Sequence, residues 1–418
     1  MTRSVTPAPC FRWLQVFSNM ERLVHAFINL YSAGNLLFRD WRAEVCCSPE
    51  GDTSLQVDFG LGPLPTLEGR GPPSPLLEAV CRQMEHFLGR WEAFVAQKRA
   101  QHFHLNYYTA EQLVYLSTQL PRHRPEDAAL AMLSFIKPDC SAQDVWEACR
   151  RPDGAAARQR PQTQTDELLL MLSSASGLAD QLRVIMEQSL TGMCDFLPHC
   201  LDLEGLGRCL AHLAMQGRPP VTRELPKGLQ IGLPNLIVCG PSEVLLAALA
   251  IYMHSPQQPL PTYDEVLLCT PGTTFEEVAL LLRRCLSTGS QGRGVYSLLH
   301  ADQLSYDAAC RVEALFQSLR TQPHREDYQL VLVCDSEREH CYLPSAFSQH
   351  KVPVTPQAPL KDVQAYLAHH YHVPERTQSA AAVFRDQMCV GIVASERAGV
   401  GNDGCWGGWA HGSWGHPL

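Results

Sequence analysis

The residues best placed to do chemistry lie near the C-terminus. A buried-type strand, Met388-Cys389-Val390-Gly391-Ile392-Val393, runs into Ala394-Ser395-Glu396-Arg397-Ala398-Gly399-Val400-Gly401. A strand feeding such a loop is how a phosphate-binding P-loop begins. Its chemistry needs backbone amides to cradle the phosphates, a lysine on the β/γ phosphates, a hydroxyl on Mg²⁺ and a following helix. Aligned on Gly401, the motif puts Glu396 where its first glycine belongs, Asn402 at the lysine and Asp403 at the hydroxyl residue. Glu396, Gly399 and Gly401 are therefore the candidate nucleotide-binding residues of a degenerate site, and Asp403 would repel phosphate. Residues 404–418 hold five glycines and three tryptophans, which cannot continue as the required helix. The plain alternative is a glycine-rich turn.

Other constellations are weaker. Leu330-Val331-Leu332-Val333-Cys334 followed by Asp335-Ser336-Glu337 resembles a metal-carboxylate strand of an ATPase, or simply a strand ending in a solvated loop. The preceding turn at Cys239-Gly240-Pro241-Ser242 has no lysine to partner it. Cys194, His199, Cys200, Cys209 and His212 form the densest thiol–imidazole group, yet close C-x₂₋₄-C pairs typical of structural zinc are missing. Cys334, His340 and Cys341 are sparser still. No C-x-x-C occurs in the chain, so no RING-type zinc module is expected, and no G-x-S-x-G elbow nominates a nucleophile. His369-His370-Tyr371-His372 is expected at a helix C-terminus, where positive charge is favourable. No catalytic residue and no metal ligand is nominated.

The elements that would position these residues divide the chain. Residues 1–216 read as helical. Segments 13–37 and 75–103 carry apolar residues at helical spacing, with Leu77, Val80, Cys81, Met84, Phe87, Leu88 and Trp91 on one stripe. Residues 48–75 read as a loop with a short strand over 54–59, and 151–164 as a second loop. Thr109 and Gln112 have the spacing of a capping box, with Tyr108 and Leu113 as its hydrophobic staple. Further helices are expected over 125–136, 141–149, 165–173, 178–189 and 203–215. From 217 to 401 short apolar runs at 236–239, 265–269, 295–299 and 330–334 alternate with helical patterns. Unbroken apolar runs of that length fit strands buried on both faces. The fold class is α + α/β: a helical half followed by a doubly wound, mostly parallel α/β half, with 402–418 as a separate tail.

The 418 residues are 45% hydrophobic and carry a net charge of −9. That balance, with no Lys/Arg stripe, argues against a nucleic-acid partner. Polar residues Asn19, Glu21, Arg22 and His25 interrupt 14–30, so no secretory signal is expected there, and no run is long enough for a transmembrane segment. The seventeen cysteines are accordingly read as reduced thiols of the cytosol.

Four long strings, Leu105–Ser117, Pro261–Cys269, His340–Lys351 and Cys389–Gly401, resemble the mysterin family of giant RING-finger AAA+ ATPases and E3 ubiquitin ligases. The resemblance covers about residues 20–401. It implies ATP-dependent ubiquitin transfer with ATP, Mg and Zn as family cofactors, ubiquitin machinery as partners, and a cytoplasmic and lipid-droplet location. In the family a lysine and a serine follow Gly401, so the P-loop role carries onto Gly399 and Gly401, and less well onto Glu396. The likeness ends at Gly401, ahead of the ATPase ring and the RING. The chain is therefore expected to be a truncated member, inactive by itself and with no cofactor of its own. The alternatives are a noncatalytic scaffold fragment, a nucleotide-binding enzyme in its own right, or a degraded product whose tryptophan-rich tail favours clearance.

Overall fold

The computed structural model describes residues 9–371 except 48–52, 63, 151–162, 198–199, 218, 291 and 354–355. The chain opens with α1 (Pro9–Ser32), then β1 (Arg42–Cys47), β2 (Thr53–Asp58), β3 (Leu67–Gly71) and the long α2 (Pro73–Gln101). Next come α3 (Ala110–Gln119), α4 (Asp127–Leu133), α5 (Ala142–Arg150), α6 (Thr163–Ser174), α7 (Leu178–Phe196) and α8 (Leu203–Met215). The α/β part runs β4 (Pro234–Cys239), α9 (Val244–Tyr252), β5 (Val266–Leu268), α10 (Phe275–Leu286), β6 (Tyr296–Leu299), α11 (Tyr306–Thr321) and β7 (Leu330–Asp335). Two helices, α12 (Tyr342–Ala346) and α13 (Leu360–His370), follow. This is the expected α + α/β class.

Helix starts follow local chemistry. Thr109 caps α3 by accepting the Gln112 amide while the Gln112 side chain accepts the Thr109 amide. Tyr108 and Leu113 are buried in one cluster beside it. Thr274 and Glu277 repeat the device at α10, whose last turn carries Arg283 and Arg284 against the helix dipole.

One expectation for the first half needs correcting. Residues 48–75 were to form a loop with one short strand; instead β1, β2 and β3 make an antiparallel three-stranded sheet, with Val45 opposite Leu55 and Leu55 opposite Gly69. Leu55, Val57 and Leu67 turn inward onto Phe38, Phe59 and the α2 stripe. The third strand has a reason for its glycine. A Cβ on Gly69 would lie 2.7 Å from Leu178 Cβ, so a side chain there would push α7 away.

The second sheet is parallel, in the order β4–β7–β6–β5. Its side chains alternate between two cores. Leu236, Leu298, Leu330, Leu332 and Cys334 face α10 and α11, whereas Ile237, Cys239, Leu299, Val331 and Val333 face α9. The sheet is thus wound on both faces. Beyond β4, Val352 donates its amide to Leu236 O at 2.8 Å, and Lys351 bridges to Leu236.

The two halves meet through buried cations. Arg99 donates to the carbonyls of Leu105 and Tyr108 and pairs with Glu276 at 3.3 Å. Glu276 also accepts the Ala110 amide at 2.8 Å. Arg284 of α10 donates to Asn106 O at 2.6 Å and Asp264 O at 3.0 Å. Among the described residues, no helix is long and apolar enough to cross a membrane.

Candidate functional site

Strand order defines where a ligand would enter. The chain leaves β4 at one edge, crosses to β5 at the other, then returns through β6 and β7 to lie beside β4. Because α9 covers one face and α10 and α11 the other, the carboxyl ends of β4 and β7 form the switch point where doubly wound sheets open a crevice. Cys239 at the end of β4 is in register with Asp335 at the end of β7.

The loop after β4 is closed by its own acid. Glu243 Oε2 accepts the Gly240 amide at 2.9 Å, and the Glu243 amide donates to Gly240 O at 2.8 Å. After β6, Asp302 is 1% exposed and its Oδ1 accepts the Asp335 amide at 2.9 Å, stitching two strand ends together. Arg338 lies 3.6 Å from the other oxygen, Oδ2, which has no hydrogen-bond partner. His300, one residue past β6, takes a left-handed backbone at φ 53 to bring the chain round to Asp302. Burial pushes the Cys239 thiol up to about 11 and Cys269 up to about 12, and nearby Asp302 adds to both. Burial likewise raises Cys334. These thiols are neutral and inert.

The turn after β4 lacks the parts of a phosphate cradle. A phosphate cradle needs free amides and a cation. Here the Gly240 amide is taken by a carboxylate, residues 239–244 contain no lysine, and Arg338 lies beside Asp302. The acids Glu243, Asp302 and Asp335 make the site repulsive to a triphosphate.

Glu396, Gly399 and Gly401, with Asn402, Asp403 and the strand at 388–393, lie outside the described residues. So do His199 and the side chain of Cys194. Of the remaining thiol–imidazole group, Cys209 is buried on α8 and Cys200 is half-buried. No cluster of three His, Cys, Asp or Glu able to hold a metal occurs among the described residues. Asp335 caps the turn that follows β7 by accepting the Glu337 amide at 2.9 Å, as a loop start does. His370 ends α13 and bonds Gln258 O at 2.7 Å, which pins the helix to the loop before β5. The sequence reading missed Asp302 and Glu243. Their signal was positional: an acid three residues past the Leu298-Leu299 run, and an acid three residues past Gly240.

The parallel sheet wound on both faces, with acid-bearing turns at the carboxyl ends of its strands, is an α/β module of the doubly wound class. Residues 234–352 match the family model described as the RNF213 AAA domain. The likeness extends well beyond that module. The chain is 64% identical over 390 residues to E3 ubiquitin-protein ligase RNF213 of Homo sapiens and 62% identical to that of Mus musculus. It is 32% identical over 406 residues to rnf213-beta of Danio rerio. Each match covers 93% of this chain and 8% of the relative's length. Over that length the chain is of the RNF213, or mysterin, type.

Proposed function

We propose that this chain is a noncatalytic module of an RNF213-type ubiquitin ligase: an AAA-type α/β unit, locked to a helical layer, that shapes the larger protein without turning over nucleotide. The observation that carries the reading is the closed turn after β4, where Glu243 occupies the amide a phosphate would need. The bond from the Asp335 amide to Asp302 Oδ1 supports it by fixing that carboxylate against its neighbour's backbone, with Arg338 lying 3.6 Å from its other oxygen. At the second candidate site, Asn402 and Asp403 replace the lysine and hydroxyl residue. On this reading the chain turns over no nucleotide by itself, and any part in ubiquitin transfer passes through the rest of the ligase and its ubiquitin-conjugating partners.

Two assays on the whole chain test this. Incubated alone with Mg–ATP, it should release no phosphate above the uncatalysed rate. Supplied with ubiquitin-charged conjugating enzyme, it should not accelerate discharge. Phosphate release or discharge that rises in proportion to chain concentration would overturn the proposal.

A further inference from the structure

We infer that Cys149 and Cys209 form a reversible dithiol–disulfide pair that ties α5 to α8 under oxidation. The two Sγ atoms lie 3.4 Å apart, with the Cys209 S–H directed at Cys149. They are 60 residues apart in sequence and both are buried, so the contact is made by tertiary packing. Cys149 Sγ also lies 3.7 Å from Leu120 O, and Cys209 Sγ lies 3.7 Å from Ala148 O. These contacts hold both sulfurs in one pocket of the core formed by α3, α4, α5 and α8. The hydrogen bond from Cys209 holds the Cys149 thiol below its ordinary value, whereas that contact and burial push Cys209 up. Cys149 is thus the sulfur that reacts first, since the thiolate is the nucleophile.

The chemistry balances with a peroxide as the named oxidant. The Cys149 thiolate attacks one peroxide oxygen, the O–O bond breaks, and a sulfenic acid and one water result. The Cys209 sulfur then attacks the Cys149 sulfur, its proton leaves with the displaced hydroxide as a second water, and the S–S bond forms. Two thiols lose two hydrogens and two electrons, and one peroxide becomes two waters. Cys149 sits in the last turn of α5, where helices fray and open locally. The same core carries Leu105 and Tyr108, beside the carbonyls that Arg99 grips and the Asn106 carbonyl that Arg284 grips. A bridge would therefore stiffen the layer on which the AAA-type module rests.

The test is thiol mapping of the whole chain after graded hydrogen peroxide, by alkylation under denaturing conditions and non-reducing peptide mass spectrometry. The expected result is a Cys149–Cys209 cross-linked peptide that dithiothreitol reverses. In Cys209→Ser, dimedone should trap a sulfenic acid at Cys149 that does not accumulate in the parent chain. The inference is overturned if both residues alkylate as free thiols at a peroxide exposure that oxidises the exposed Cys46, or if Cys149 links to another cysteine. Should Cys209→Ser fail to fold, the map of the parent chain decides alone.

Discussion

Single charged side chains hold this molecule at points where apolar packing alone would leave orphaned polar groups. Arg223 is 1% exposed and bonds Glu265 side-on through Nε and Nη2, at 2.7 Å each, while Nη1 donates to the Pro259 carbonyl and Nη2 to the Leu260 carbonyl. The Thr262 amide and hydroxyl complete the Glu265 carboxylate. The two-point pairing and the added hydrogen bonds offset the desolvation penalty of both charges, and removing one partner would leave the other uncompensated. Glu204 at the start of α8 is a more exposed example and has a measurable signature. Its hydrogen bond from Lys98, aided by His102, depresses its carboxyl from 4.5 to about 2. A depressed carboxylate contributes stability that is complete above the unfolded value and is lost as pH falls through the folded one. The α2–α8 contact should therefore weaken between pH 4.5 and about 2. Urea midpoints measured across that window should fall in the parent chain and fall less in Lys98→Met. Added salt should shrink the difference, because the side chain is 34% exposed and screened.

At the scale of elements, close approach decides what substitutions are allowed. Gly207 sits in α8 against the end of α2, and an added Cβ would lie 2.4 Å from His102 Cγ and 2.6 Å from His102 Cβ. Helix propensity favours alanine over glycine by about 1 kcal/mol. The clash opposes it with atoms near the backbone of His102, which cannot swing aside, and overpacking of this kind costs about 1–3 kcal/mol. Gly207→Ala should thus destabilise, read as a lower denaturation midpoint at unchanged m-value; a raised midpoint would show that α8 can retreat. The helices were legible because their signals are local. The Thr109–Gln112 and Thr274–Glu277 boxes and the α2 stripe are each contained in one element. Strands β4 and β7 were legible as unbroken apolar runs buried on both faces. Strands β1 and β3 were not. Arg42, Glu44, Glu68 and Arg70 face solvent, and Gly69 and Gly71 suggest a turn until α7 is seen lying on Gly69.

At the scale of the whole molecule, the order β4–β7–β6–β5 could not be read from the chain, because pairing between strands distant in sequence leaves no local trace. With the order unknown, the acid at the end of β7 looked like the chemical one. The structure makes Asp335 a turn cap and puts the buried carboxylate at Asp302, after β6. The same order sets the turn of Gly240 and Glu243 at the crevice mouth. Arg99, Glu276 and Arg284 then join this module to the helical layer through buried polar contacts. In the proposed function the AAA-type module is closed to nucleotide. Calorimetric titration of the whole chain with Mg–ATP tests it most directly. The structure predicts heats of dilution alone, whereas a saturable isotherm with one nucleotide bound per chain would contradict the account.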